Sequence, residues 1–193
     1  MSGPLAINSI FEYIDSLSVM VLSTAGSETA SAGNGSLNAS PDDGSAPDAS
    51  SKRHESASGI TVPDGRQSLV LRSTPVFFAR KNNSFYFISV AKTVHARNIS
   101  QNPYISAAVT KNYRNYRDIK GAQLFGPCRE IEGLTEIARA ALVYFSKFSD
   151  LKSFMQPDLI KSAIDIKWYE LAAERLIYTD NTVRFGYKEE VEL

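Results

Sequence analysis

Ser84-Phe85-Tyr86-Phe87-Ile88-Ser89-Val90-Ala91-Lys92-Thr93-Val94-His95-Ala96-Arg97-Asn98-Ile99-Ser100-Gln101-Asn102-Pro103 decides how the rest of the chain is read. Its first half alternates aromatic and β-branched residues, the pattern of a strand. Its second half reads as a short helix that ends before Pro103, because a proline disfavours helical geometry in the residue preceding it. Ser89, Lys92, Thr93, His95 and Arg97 therefore gather where a strand feeds a helix. The first backbone N–H groups of a helix lack intrahelical partners, and its dipole is positive at that end, so such a junction suits an anion. Spacing alone favours a capped helix with a solvated polar face over an anion site. Arg97 lies two positions beyond His95 and points about 200° round the helix from it.

Ser89, Thr93, His95 and the closing Asn102-Pro103 fall on the spacing of a known family, and Asp118-Ile119-Lys120-Gly121-Ala122-Gln123-Leu124-Phe125-Gly126 continues the match. The chain resembles the flavin-binding split-barrel superfamily typified by pyridoxamine 5'-phosphate oxidase. The wording of residues 92–99 is closer to a small, poorly characterised branch than to the oxidase itself. The resemblance covers most of the chain outside residues 25–66 and implies a mostly β fold with peripheral α-helices, a split β-barrel. It further implies a homodimer with flavin mononucleotide (FMN) at the interface, acting as an oxidoreductase on a small molecule. Haem and deazaflavin are the other cofactors to weigh, and a non-enzymatic binding or stress-response protein is the alternative function.

Carried over residue by residue, the resemblance implies that Ser89, Lys92, Thr93, His95 and Arg97 surround the phosphate and that Val76, Phe77 and Phe78 run beside the isoalloxazine ring. Gln123 would reach the flavin, and Trp168 would stack on it from the partner protomer. Each of these apolar side chains is equally at home in a core. The oxidase has an arginine and a lysine at the two ends of the strand beside the ring, where this chain has Thr74 and Ala79, and a glutamine at the position of Gly121.

With 193 residues, 21 Lys plus Arg and 21 Asp plus Glu, the chain has no net field to attract nucleic acid or an anionic membrane. Any anion must be held by local groups. The single cysteine, Cys128, excludes an internal disulfide and a multi-cysteine metal site. No apolar run approaches the about 20 residues of a membrane span, and the opening Met1-Ser2-Gly3-Pro4-Leu5 lacks secretory features. The expectation is a cytoplasmic protein.

One barrel domain, residues 1–24 and 67–193, is predicted to be interrupted by residues 25–66. That segment is rich in Ser, Gly, Asn, Asp and Pro and offers almost no apolar side chains to offset the entropy of ordering it. It reads as a disordered insertion into a hairpin. Apolar spacing predicts helices over residues 5–17 and 134–148, with strands at 18–24, 67–80, 104–110 and 119–131. Residues 151–162 read as a short helix or irregular connection. Two closing strands are expected at 164–178 and 182–188, joined by a tight turn at Thr179-Asp180-Asn181. A His95–Cys128 dyad requires a proximity that the sequence does not supply, and the Asn112–Arg117 bend mixes tyrosine with arginine as a pocket rim or dimer contact does.

Overall fold

The computed structural model describes residues 6–27, 69–150 and 165–193. Its centre is a curled antiparallel sheet of nine strands in the order β2-β1-β5-β6-β7-β4-β3, with β8 on β6 and β9 on β8. The strands are β1 (Val19–Ser27), β2 (Leu69–Phe77), β3 (Ala79–Lys81), β4 (Ser84–Val90), β5 (Tyr104–Thr110), β6 (Lys120–Glu130), β7 (Ile166–Ala172), β8 (Arg175–Asp180) and β9 (Lys188–Glu192). The helices are α1 (Ile7–Asp15), α2 (Val94–Gln101) and α3 (Leu134–Lys147). β2 and β4 lie against each other without a ladder, so the barrel is split between them.

The core follows from alternation along each strand. Met20 and Leu22 of β1, Phe85 and Phe87 of β4, Val109 of β5 and Leu124 of β6 point inward and are fully buried. Ile10 and Ile14, one turn apart on α1, join the same cluster. β6 is shared by both halves of the barrel: Lys120–Phe125 pair with β8, and Cys128–Glu130 pair with β7. Gly126 sits at this crossing because a Cβ there would stand 2.0 Å from the Ala172 carbonyl oxygen.

Several sequence expectations shift. β1 continues past Thr24 to Ser27, with Ala25, Gly26 and Ser27 opposite Leu71, Val70 and Leu69. The extension is held by α2, whose Gln101 Oε1 accepts the Ser27 N–H at 2.8 Å. The remainder of the predicted insertion, residues 28–66, and the 151–162 connection lie outside the described residues. The first predicted closing strand divides into β7 and β8 at Ala173-Glu174, where Ala173 N donates to Asn83 O and Glu174 N to Phe125 O. The turn expected at 179–181 is wider: β8 runs through Asp180, and the chain returns as β9 only at Lys188. Among the described residues no helix is long and apolar enough to cross a membrane.

Candidate functional site: a hydroxyl and imidazole cluster at the split

β4 delivers Ser89 to the inner face by the same alternation that buries Phe85 and Phe87. The chain then turns into α2, whose N-cap is Thr93: its Oγ1 accepts the Ala96 N–H at 3.3 Å and donates to the Val90 carbonyl at 2.9 Å. One turn of chain places His95 beneath both hydroxyls. Its Nε2 lies 2.6 Å from Ser89 Oγ and 3.2 Å from Thr93 Oγ1. Thr93 has already given its only proton to Val90, so the contact with His95 requires a proton on Nε2, shared between the two hydroxyl oxygens. That tautomer leaves the Ser89 hydroxyl proton available to another acceptor.

A guanidinium contributes to the field at this cluster. His95 is 6% exposed, and its pKa is lowered below 6.5, first by burial and then by the nearby Arg72 guanidinium; no carboxylate contributes. Arg72 reaches the site because Val70, Arg72, Thr74 and Val76 share the side of β2 that pairs with the inward row Gly26, Thr24, Leu22 and Met20 of β1. Thr74 Oγ1 in the same row is a buried hydroxyl without a hydrogen-bond partner. α2 closes down on these strands through Asn98, whose Nδ2 donates to Val70 O at 3.0 Å and Thr24 Oγ1 at 3.2 Å. Gly26 is required there, since a Cβ would come within 2.5 Å of Asn98 Oδ1.

The structure thus unites Ser89, Thr93 and His95 and adds Arg72, with Thr74 two positions along the same row of β2. The other expected phosphate cations turn away. Lys92 is fully exposed and paired with Asp165 at 2.6 Å, which raises its pKa, while Arg97 folds back to donate to the Lys92 carbonyl at 2.8 Å. Beside the split, Val76 packs against the core from the inner face, and Phe78 is buried between Phe85 and the Lys147 ammonium. Phe77 points the other way, 53% exposed, with only its edge against Phe148. Gln123 stands on the outer face of the sheet, opposite Ala108 and Ile177. Trp168 packs edge-on against Tyr144 and Phe145 of α3, 5.5 and 6.0 Å between centroids. Cys128 is buried with its thiol pKa pushed up to about 12, first by burial and then by Glu170, so it offers no thiolate for a dyad.

No protein-family model matches the chain, and no curated protein matches it. Solved structures do. A haem-binding protein from Mycobacterium smegmatis superposes with a TM-score of 0.60 at 13% identity over 100% of this chain and 60% of its own length. This chain therefore spans about three-fifths of that protein. A FAD-binding protein from Mesorhizobium loti gives 0.52 at 13% identity, covering 89% and 92% of the two chains. A candidate pyridoxamine 5'-phosphate oxidase from Listeria innocua gives 0.54 at 9%, covering 90% and 97%. The chain shares the split-barrel fold of these proteins. Identities this low speak for the fold alone, and one fold hosts several chemistries.

Proposed function

We propose that the protein binds flavin mononucleotide and uses it as an oxidoreductase, with the phosphate held at the split between β2 and β4, beside the start of α2. One observation carries this reading: a buried histidine, two hydroxyls and an arginine converge where no carboxylate contributes to the histidine's field. Such a set of hydroxyl, imidazole and guanidinium donors fits a phosphate dianion. Arg72 supplies charge, Ser89 donates its available proton, His95 orients Ser89 through Nε2 and can take up a second proton as an anion binds, and Thr93 fixes the imidazole. Thr74 Oγ1, buried without a partner, is a further donor in the same row. Flavin, when bound, would supply the electron chemistry, and the protein's part is to bind, orient and exclude water.

The outer face of the sheet supports the homodimer. Val21, Leu69, Leu71, Phe77 and Tyr104 are exposed large apolar residues on β1, β2 and β5, a patch of the kind that marks protein interfaces. A second copy across this face would bring a partner's residues toward the split. Haem, the ligand of the Mycobacterium smegmatis protein, suits the cluster less well. Axial ligation would call on His95, whose Nε2 is spent on Ser89 and Thr93.

The absorption spectrum of the purified protein, followed by titration of the stripped protein with FMN and riboflavin, tests the reading. Flavin bands, or FMN binding at about 1 µM or tighter, near −8 kcal/mol, are expected. A Soret band with no flavin affinity would make it a haem-binding protein instead, and no affinity for either would favour a non-enzymatic role.

A further inference from the structure

A second cleft lies at the Thr110 end of β5, whereas α2 leads into the Tyr104 end. It is an open groove of about 710 Å³, within the range of small-molecule sites, lined by Tyr116, Arg117, Asp118, Asn181, Thr182 and Phe185. One wall is the 3-10 turn Tyr116–Asp118, and the other is the connection between β8 and β9.

Both walls are braced from behind. Asp180 is buried; burial alone would raise its pKa, but bonds from Thr182 and Lys120 outweigh that and hold it low. Its Oδ1 accepts from Thr182 N at 2.9 Å and Thr182 Oγ1 at 2.6 Å, and Lys120 Nζ lies 3.0 Å from Oδ2. Asn181 ties the walls together: its N–H donates to Ile119 O, its Nδ2 to Tyr116 O at 2.7 Å, and its Oδ1 accepts the Gly186 N–H at 3.0 Å. Gly186 has φ +72°, a conformation that admits this turn without a Cβ penalty. Lys120 is also fixed through its carbonyl, which accepts from Tyr13 of α1 at 2.7 Å.

This rigid frame presents what a loop has no structural reason to display. Phe185 is 76% exposed and Tyr116 56% exposed, with centroids 5.8 Å apart at 85°, an aromatic corner facing solvent. Arg117 stacks over Tyr116 at 5.6 Å and donates Nε–H to its hydroxyl at 3.1 Å. Among the described residues no carboxylate pairs with Arg117. Asp118 lines the same groove, so a cation and an anion flank the ring corner on adjacent residues.

We propose that this cleft binds a nucleotide-like ligand: a flat nitrogenous ring bearing an amine or ring N–H and an anionic group. The ring packs in the Tyr116–Phe185 corner, the nitrogen side donates to Asp118, and the anion pairs with Arg117. The site is separate from the flavin phosphate cluster and does not depend on it.

The test uses saturation-transfer NMR and calorimetry with adenosine monophosphate, adenosine and inorganic phosphate as probes. It is run on the full chain and on Arg72→Gln, which disables the other cluster. Adenosine monophosphate is expected to bind both proteins alike and more tightly than adenosine or phosphate. Arg117→Gln should weaken adenosine monophosphate about tenfold while leaving adenosine almost unchanged. Phe185→Leu should weaken both by a similar factor. Both substitutions fall on exposed side chains, and an unchanged melting temperature confirms that the fold is intact. Absence of transfer at millimolar adenosine monophosphate, or its loss in Arg72→Gln, would overturn the assignment. So would a single-stranded oligonucleotide that binds orders of magnitude more tightly with a steep salt dependence, the mark of a nucleic-acid platform.

Discussion

Replacing Arg72 by Gln separates charge from shape at the split. Arg72 is the one charged group that contributes to the depressed pKa of His95, and it sits on the inward row of β2 beside the unpartnered Thr74 hydroxyl. If its guanidinium also holds the FMN phosphate, the substitution removes a hydrogen bond to a charged group, worth about 1.5–3 kcal/mol. FMN affinity should then fall about 10- to 150-fold, while riboflavin, which has no phosphate, should lose little. The same protein carries a second readout. With Arg72 gone, the His95 pKa measured by NMR should rise but stay below 6.5, because burial is the larger cause of its depression. Equal losses for FMN and riboflavin would mean that the fold or ring pocket had been damaged rather than a phosphate contact removed. Unchanged FMN affinity together with an unmoved His95 pKa would refute the geometry outright.

His95 predicts two opposite pH effects. Its folded pKa lies below the ordinary 6.5, so below that pH the unfolded chain binds more protons; stability should be fullest above pH 6.5 and decline as pH falls toward the folded pKa, as chemical denaturation across pH would show. Binding a phosphate raises the His95 pKa, so FMN affinity should strengthen as pH falls through 7, relative to a His95→Gln control in which the phosphate's own titration is the same. Thr93→Ala should cost about 1 kcal/mol of stability by removing the N-cap, yet penalise FMN and riboflavin equally, because Thr93 spends its proton on Val90. Val21→Lys on the outer face should convert a dimer to a folded monomer in light scattering; a wild-type protein that is already monomeric would contradict the interface. Ser27 and Leu69 are cross-strand partners, so joining them through a short Asp-Gly turn in place of residues 28–68 should leave the melting temperature unchanged or raised, since a shorter loop closes at lower entropic cost.

The β4-to-α2 junction was legible because its determinants are local. Alternation in residues 84–90, a hydroxyl at the N-cap and Asn102-Pro103 at the end define the strand, the turn and the helix over twenty consecutive residues, and the Ser89–His95 contact spans only six positions. The core strands were legible for the same reason. Less local features were missed. The break at Ala173-Glu174 depends on backbone acceptors at Asn83 and Phe125, and the wide loop after Asp180 depends on Asn181 reaching Tyr116. No periodicity in residues 164–188 encodes those partners.

Arg72 was missed for a more instructive reason. In the strand predicted over 67–80, Leu69 and Leu71 lie on one row and Val76 and Phe78 on the other, with Pro75 between them, so alternation alone leaves Arg72 and Thr74 on the row away from the leucines. The register with β1 settles which row faces inward: Met20 and Leu22 must face the core, so their partners Val76 and Thr74 face it too, and Arg72 follows. A one-residue slip of β2 would turn Leu69 and Leu71 inward and Arg72 and Thr74 outward, so the register with β1, not the composition of β2, decides the matter. The outcome is a strand whose inner row carries an arginine and an unpartnered threonine while its outer row carries exposed leucines, 54% and 65% accessible. For an isolated protomer the unpartnered threonine and the exposed leucines both stand out. They make sense together if an anion occupies the inner row and another protein surface covers the outer one, and this arrangement on β2 is why the FMN titration and the Val21→Lys dimer test bear on the same strand from its two faces.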